Sequence, residues 1–157
     1  MQNQKRIRAI ALSGSHIAKL RQHMYQSAFA RIKEANNAGY YLESITLIES
    51  MLSDRLESRL TYLLKTDFSF KNLGSLIKKA REIENDSILL KYLVEDLDLW
   101  RDARNKALHE MVKIADGETI TWNDRVKVIN EVSSNGLTLL RAIDNRLKAL
   151  KPKKSRT

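Results

Sequence analysis

The sequence predicts an all-α protein, an up-and-down bundle of about four long helices and one short one. Leu, Ile, Ala, Lys, Arg and Glu dominate a 157-residue chain with five glycines and one proline, a composition that suits helices and is poor in strand formers. Apolar residues recur at three- and four-residue intervals through successive segments, the spacing that lines one helix face. No repeat or low-complexity block interrupts them. At this length a single domain over residues 1–150 can bury a core without covalent staples.

The N-terminal stretch "MQNQKRIRAIALSGSHIAKL" opens with basic residues, and its apolar segment "AIAL" is too short for a signal-peptide core. From Ile17, the apolar positions Leu20, Met24, Ala28 and Ile32 keep helical spacing until "NNAGYY", where Asn-Asn-Ala-Gly supplies a stop. A second helix is expected from about Tyr41 to Lys65, with Leu42, Ile45, Leu52, Leu56, Leu60 and Leu63 on one stripe. The connector "TDFSF" leads to a short helix over Leu73 to Ile83. After "ENDS", a fourth helix starts near Ser87; Leu89, Leu93, Trp100, Ala107, Met111 and Ile114 carry its stripe to "ADGE". The fifth opens at "TWND", where Thr121 can cap and Asp124 can answer it. Its stripe is Ile129, Val132, Leu140, Ile143, Leu147 and Leu150, and "SSNG" at 133–136 either bends the helix or lets Gly136 admit a close neighbour.

Composition also narrows function. The formal charge of +9, from 28 Lys and Arg against 19 Asp and Glu, favours polyanionic partners, because neutralised phosphates release counterions. Part of it lies in "KRIR" and in "KALKPKKSRT", whose residues 151–157 read as a basic disordered tail beyond the one proline. No window approaches the ~18 consecutive apolar residues that span a bilayer, so no membrane association and a cytoplasmic location are expected. Without cysteine there is no disulfide framework, thiolate zinc site or thiol nucleophile. Three histidines are too few for most metal centres, and P-loop, Gly-rich cradle and HExxH motifs are missing. Neither a metal nor a cofactor is expected. Trp100 and Trp122 read as core or interface aromatics in preference to base-stacking platforms.

The stretch "LWRDARNKALHEMVK", Leu99 to Lys113, fits this scheme least well. On a wheel of ~100° per residue, Arg104 falls inside the apolar stripe between Trp100 and Ala107, and His109 lies roughly 140° away, near a line of Asp98, Arg101 and Asn105. Asn is mildly unfavourable in a helix interior, so Asn105 calls for a further reason. Glu49 is a second oddity, a carboxylate inside the second helix's stripe that needs a cation; Arg104 or Arg101 can reach it across the helix pair. Read on spacing alone, Arg104 can be an ion-pair residue and His109 plain surface.

The segment "RNKALH", Arg104 to His109, resembles the signature of the HEPN superfamily: Arg, a polar residue that is often Asn, then His after a short interval. The helical layout, with the motif late in the chain on a long helix, is similar too. The resemblance implies a metal-independent endoribonuclease that works as a homodimer, its motifs paired in an interface cleft, of the kind found in toxin–antitoxin and antiphage defence systems. An acidic antitoxin or defence partner is then expected. On this reading His109 moves protons, Arg104 holds phosphate oxygens, and Asn105 orients phosphate or imidazole. Glu49 and Arg101 support them. The alternative is a non-catalytic helical module that binds RNA or protein, such as an antitoxin or adaptor.

Overall fold

The computed structural model describes residues 6–151, and every regular element among them is helical. In order these are α1 (His16–Ala38), α2 (Tyr41–Leu64), α3 (Leu73–Ile83), α4 (Ser87–Lys91), a π-helical turn (Tyr92–Leu97), α5 (Asp98–His109) and α6 (Trp122–Ala149). The segments α4, π turn and α5 follow one another without a break and form the fourth long helix read from the sequence. Of the proposed basic tail, only Lys151 lies within the described residues.

Local chemistry sets most boundaries. Ser15 accepts from the Ala18 N–H at 3.1 Å to start α1, and Gly39 ends it at φ 80°, a left-handed conformation that glycine adopts without strain. Asn72 caps α3 through the Ser75 N–H at 2.8 Å, and Asp86 caps α4 through Leu89 at 2.8 Å. The expected box at α6 is reciprocal: Thr121 Oγ1 accepts from Asp124 N–H at 3.1 Å, while Asp124 accepts from Thr121 N–H at 2.9 Å.

The core gathers around α2, whose Ile45, Ile48, Leu52, Leu56 and Leu60 are fully buried. Helices α1, α3 and α6 pack on it, and α5 packs on α6. Gly136 admits a close contact between α5 and α6. The Trp100 indole lies flush with α6 and donates to the Val132 carbonyl at 2.8 Å; a Cβ on Gly136 would sit 2.6 Å from its nitrogen. Of the two readings of "SSNG", close approach is the one the structure shows.

Polar ties brace this arrangement. The Glu84 side chain, fully shielded, accepts two 2.8 Å bonds from Arg59 of α2 and one each from the Asn85 and Asp86 amides. Burial pushes its carboxyl up, but these donors outweigh burial and hold it below the ordinary range. Arg146 of α6 grips Asp86 with Nε at 2.9 Å and with Nη2, which, with the cap to Leu89, lowers the Asp86 pKa to about 2.

One expectation is corrected and two are narrowed. The fourth long helix ends at His109, short of "ADGE". Beyond it Arg125 of α6 reaches back, donating to the Lys113 carbonyl at 2.5 Å and facing Glu110 and Glu118, so the loop folds on α6 and Ile114 is 70% exposed. The captured Lys113 carbonyl and β-branched Val112 and Ile114 prevail over a weak helical preference. Secondly, the apolar stripe read along α1 is covered only in part: Ile32 and Ala35 are deeply buried, whereas Leu20 and Met24 are 48% and 62% exposed. Thirdly, of the two tryptophans read as core or interface aromatics, Trp100 is buried in the core, whereas Trp122 is 62% exposed, which leaves it the interface reading.

Two outcomes follow. Gly136→Ala should destabilise the fold in urea titrations, since overpacking costs about 1–3 kcal/mol against a gain of up to about 1 kcal/mol for replacing a helical glycine. At Gly74 a Cβ meets only the movable Nη1 of Arg101 at 2.5 Å, so Gly74→Ala should leave the midpoint nearly unchanged; equal losses at both sites would contradict this packing. The depressed Asp86 and Glu84 values work in one direction: carboxylates bound more tightly when ionised stabilise the fold above their ordinary range, and the Asp86 contribution is lost as pH falls from 3.8 toward 2, with that of Glu84 lost below 4.5. Thermal melts should therefore show Tm dropping over that window, with a shallower drop and a lower neutral-pH Tm in Asp86→Asn.

Candidate functional site

The π turn closes at Leu97, so α5 is a regular helix and the wheel drawn from the sequence holds over it. Trp100 and Ala107 are buried on its inner face. Arg104, between them in projection, points inward with a side chain 13% exposed, and its Nη2 forms an ion pair with Glu49 of α2. Of the two candidate partners for Glu49, Arg104 is the one it meets. Burial lowers the Arg104 pKa, yet a guanidinium beside a carboxylate stays charged.

Arg104 Nη1 donates to its neighbour Asn105, 2.6 Å from Oδ1. That bond fixes which way the amide points: with Oδ1 occupied, the Nδ2 end is left with two N–H donors. Arg104 Nε is buried and finds no acceptor among the described residues. Glu49, Arg104 and Asn105 thus form a chain of polar contacts running from α2 to the flank of α5.

His109 closes the helix. It is the last residue of α5 and is exposed, not embedded mid-helix as the sequence suggested. Asn105 lies four residues before it and Lys106 three, so both are its neighbours on the helix surface. Lys106 is exposed. Sequence reasoning passed over this lysine although it stands inside "RNKALH"; it offers an open positive charge beside the imidazole, where Arg104 offers none. Arg125 was also missed. By tying Lys113, Glu110 and Glu118 to α6, it sets where α5 stops and hence where His109 sits.

Arg101 is drawn the other way. Its Nη2 pairs with Asp98 at 3.1 Å and Asp102 at 3.0 Å, and its Nη1 lies against Gly74 of α3, so its head serves the contact between α3 and α5. The arrangement at the end of α5 joins a solvent-open imidazole, an oriented amide donor and an ammonium group. Such a set can hold an oxyanion and move a proton beside it. No family model, curated protein or solved structure matches this chain.

Removing the Glu49 charge leaves a largely shielded cation unmatched. Glu49→Gln should lower stability in urea by about 1–3 kcal/mol, and adding Arg104→Met should recover much of it, since an apolar side chain replaces a charge that has lost its partner. A double variant as unstable as the sum of both single changes would show that the pair does not hold α2 to α5.

Proposed function

We propose that this chain is a metal-independent endoribonuclease of HEPN type, active as a homodimer and serving as a toxin or antiphage defence effector under the control of an acidic partner. The observation that supports it best is the grouping of an exposed His109 with Asn105 and Lys106 at one helix end, the amide being oriented from the interior by Arg104 and Glu49. The resemblance of "RNKALH" to the superfamily signature supplies the substrate class.

In this reaction the RNA 2′-oxygen attacks phosphorus, its proton passes to a histidine, the P–O5′ bond breaks, and the leaving 5′-oxygen takes up a proton. Imidazole is suited to both transfers near neutral pH. Asn105 Nδ2 and the Lys106 ammonium are placed to stabilise charge on the phosphorane oxygens. Both terminal nitrogens of Arg104 are engaged within the chain, so Arg104 serves as a positioning residue that acts through Asn105, a change from the direct phosphate contact that sequence suggested. Each chain carries one His109; a second copy would supply the acid when the first acts as base. Exposed Leu99, together with Ala103 one turn on, gives α5 an outward apolar strip for such an encounter.

The engagement of Arg104 equally favours a second reading, a non-catalytic RNA-binding or protein-interaction module, for which the ion pair is structural. Incubating purified protein with end-labelled RNA in EDTA separates the two. The expected products carry a 2′,3′-cyclic phosphate and a 5′-OH, and 2′-deoxyribose at the scissile position blocks cleavage. His109→Ala should slow the reaction by roughly a hundredfold or more, with helical content preserved. Binding without cleavage, or cleavage untouched by His109→Ala, would overturn the catalytic reading.

A further inference from the structure

We infer that the cleft between α3 and α5 binds a second phosphate of the RNA strand whose scissile phosphate lies at His109. The inference rests on the proposed RNA substrate and gives the backbone a place beyond the reacting bond. The cleft, about 670 Å³, is lined by Asn72, Ser75, Lys78 and Arg81 from α3 and its cap and by Arg101 from α5. Asp98 draws the two arginines together: one carboxylate oxygen takes Arg81 Nη1 at 3.1 Å and the other takes Arg101 Nη2 at 3.1 Å. Each guanidinium carries five N–H donors, and these bonds, with the one from Arg101 to Asp102, leave most of them unspent. Arg101 Nη1 has no acceptor among the described residues, and the missing Cβ of Gly74 makes room for it at the cleft. Asn72 Oδ1 is taken by the Ser75 amide, so its Nδ2 end is a further donor. Lys78 is exposed.

Charge fits a phosphodiester. Lys78, Lys79, Arg81 and Arg101 stand against Glu82, Asp98 and Asp102, and each of those carboxylates is paired within the set, Glu82 with Lys79 at 3.1 Å. One positive charge is left over, the complement of one backbone phosphate. Helix α3 begins at the cleft, so the positive end of its dipole adds to that field. Position ties the ligand to RNA. Arg101, Asn105 and His109 follow at four-residue intervals along one slowly winding line on α5, and eight residues of helix span about 12 Å. A strand laid along α5 would meet the three in turn, whereas a lone phosphate ion would use only the first. An acidic protein would match the charge but offers the imidazole at the far end no bond to break.

The probe is a fluorescently labelled RNA of about 12 nucleotides, 2′-O-methylated so that it binds without being cut, titrated with the full chain by anisotropy at several salt concentrations. Lys78→Gln with Arg81→Gln, both exposed positions, should weaken binding about tenfold, the scale of one charge-assisted contact. The slope of log affinity against log salt should shrink by about 0.7, one phosphate on a single strand. In cleavage of unmodified RNA the same variant should raise KM with kcat unchanged, the mark of binding away from the reacting atoms. Removing two exposed charges elsewhere, Lys19→Gln with Lys33→Gln on α1, should leave affinity nearly unchanged. Circular dichroism checks that the variants fold. A parent chain that cleaves nothing, with the tenfold loss and smaller slope still seen in the variant, upholds the cleft while the nuclease reading falls. The inference is overturned if the Lys78 and Arg81 variant binds RNA as the parent does, if the α1 pair loses as much, or if the variant loses inorganic phosphate or a polyglutamate peptide while RNA affinity stands.

Discussion

Helix α2 lies at the centre of the molecule, and every charge it carries inward needs a partner on a different element. Arg8 of the N-terminal segment meets Asp54 and Glu57, and Arg104 of α5 meets Glu49. From the other direction, Arg55 reaches Asp144 of α6 at 2.6 Å and Arg59 reaches Glu84 beyond α3. The apolar face of α2 drives burial without preferring one neighbour over another. These pairs name the neighbours, because a partly buried charge left unmatched costs more than a mispacked methyl. The Tyr25 hydroxyl shows the same economy: burial and the adjacent Asp54 carboxylate push its pKa up, leaving it a neutral donor to that carboxylate.

What the sequence made legible was chemistry confined to a few neighbouring residues. Gly39 and Thr121 mark their helix ends by interactions within one turn, and those boundaries were read directly; Ser15 and Asn72 cap by equally local bonds that were passed over. The end of α5 could not, because it depends on Arg125 reaching back from the following helix to a loop carbonyl. A stripe such as Leu20, Met24, Ala28 and Ile32 tells which face of α1 is apolar but not how far another element covers it. The π turn at Tyr92–Leu97 left no periodic trace, since Leu89, Leu93, Leu97 and Trp100 still recur at spacings an α-helix allows.

The candidate site divides in the same way. A carboxylate and two arginines near the facing stripes were enough to expect that Glu49 meets Arg104 or Arg101, and the structure selects Arg104. The bond from Arg104 to Asn105 was not foreseeable, because consecutive residues on an ideal helix diverge, and it changes the chemical roles. The arginine becomes the inner support, and the groups open to a ligand are the amide of Asn105, Lys106 and His109. Support from α2 and termination by Arg125 together give a surface histidine a defined setting on a rigid element, which a functional group needs if its geometry is to be reproducible.

A double-mutant cycle on RNA cleavage tests this division of labour most directly, with Arg104→Ala, Asn105→Ala and the pair measured beside the parent chain. If Arg104 works through Asn105, the double variant should be no slower than the slower single one, the non-additivity expected of residues acting as a unit. Losses that multiply would place Arg104 on the phosphate itself, and a parent chain that cleaves no RNA would return the Glu49–Arg104 pair to a structural role alone.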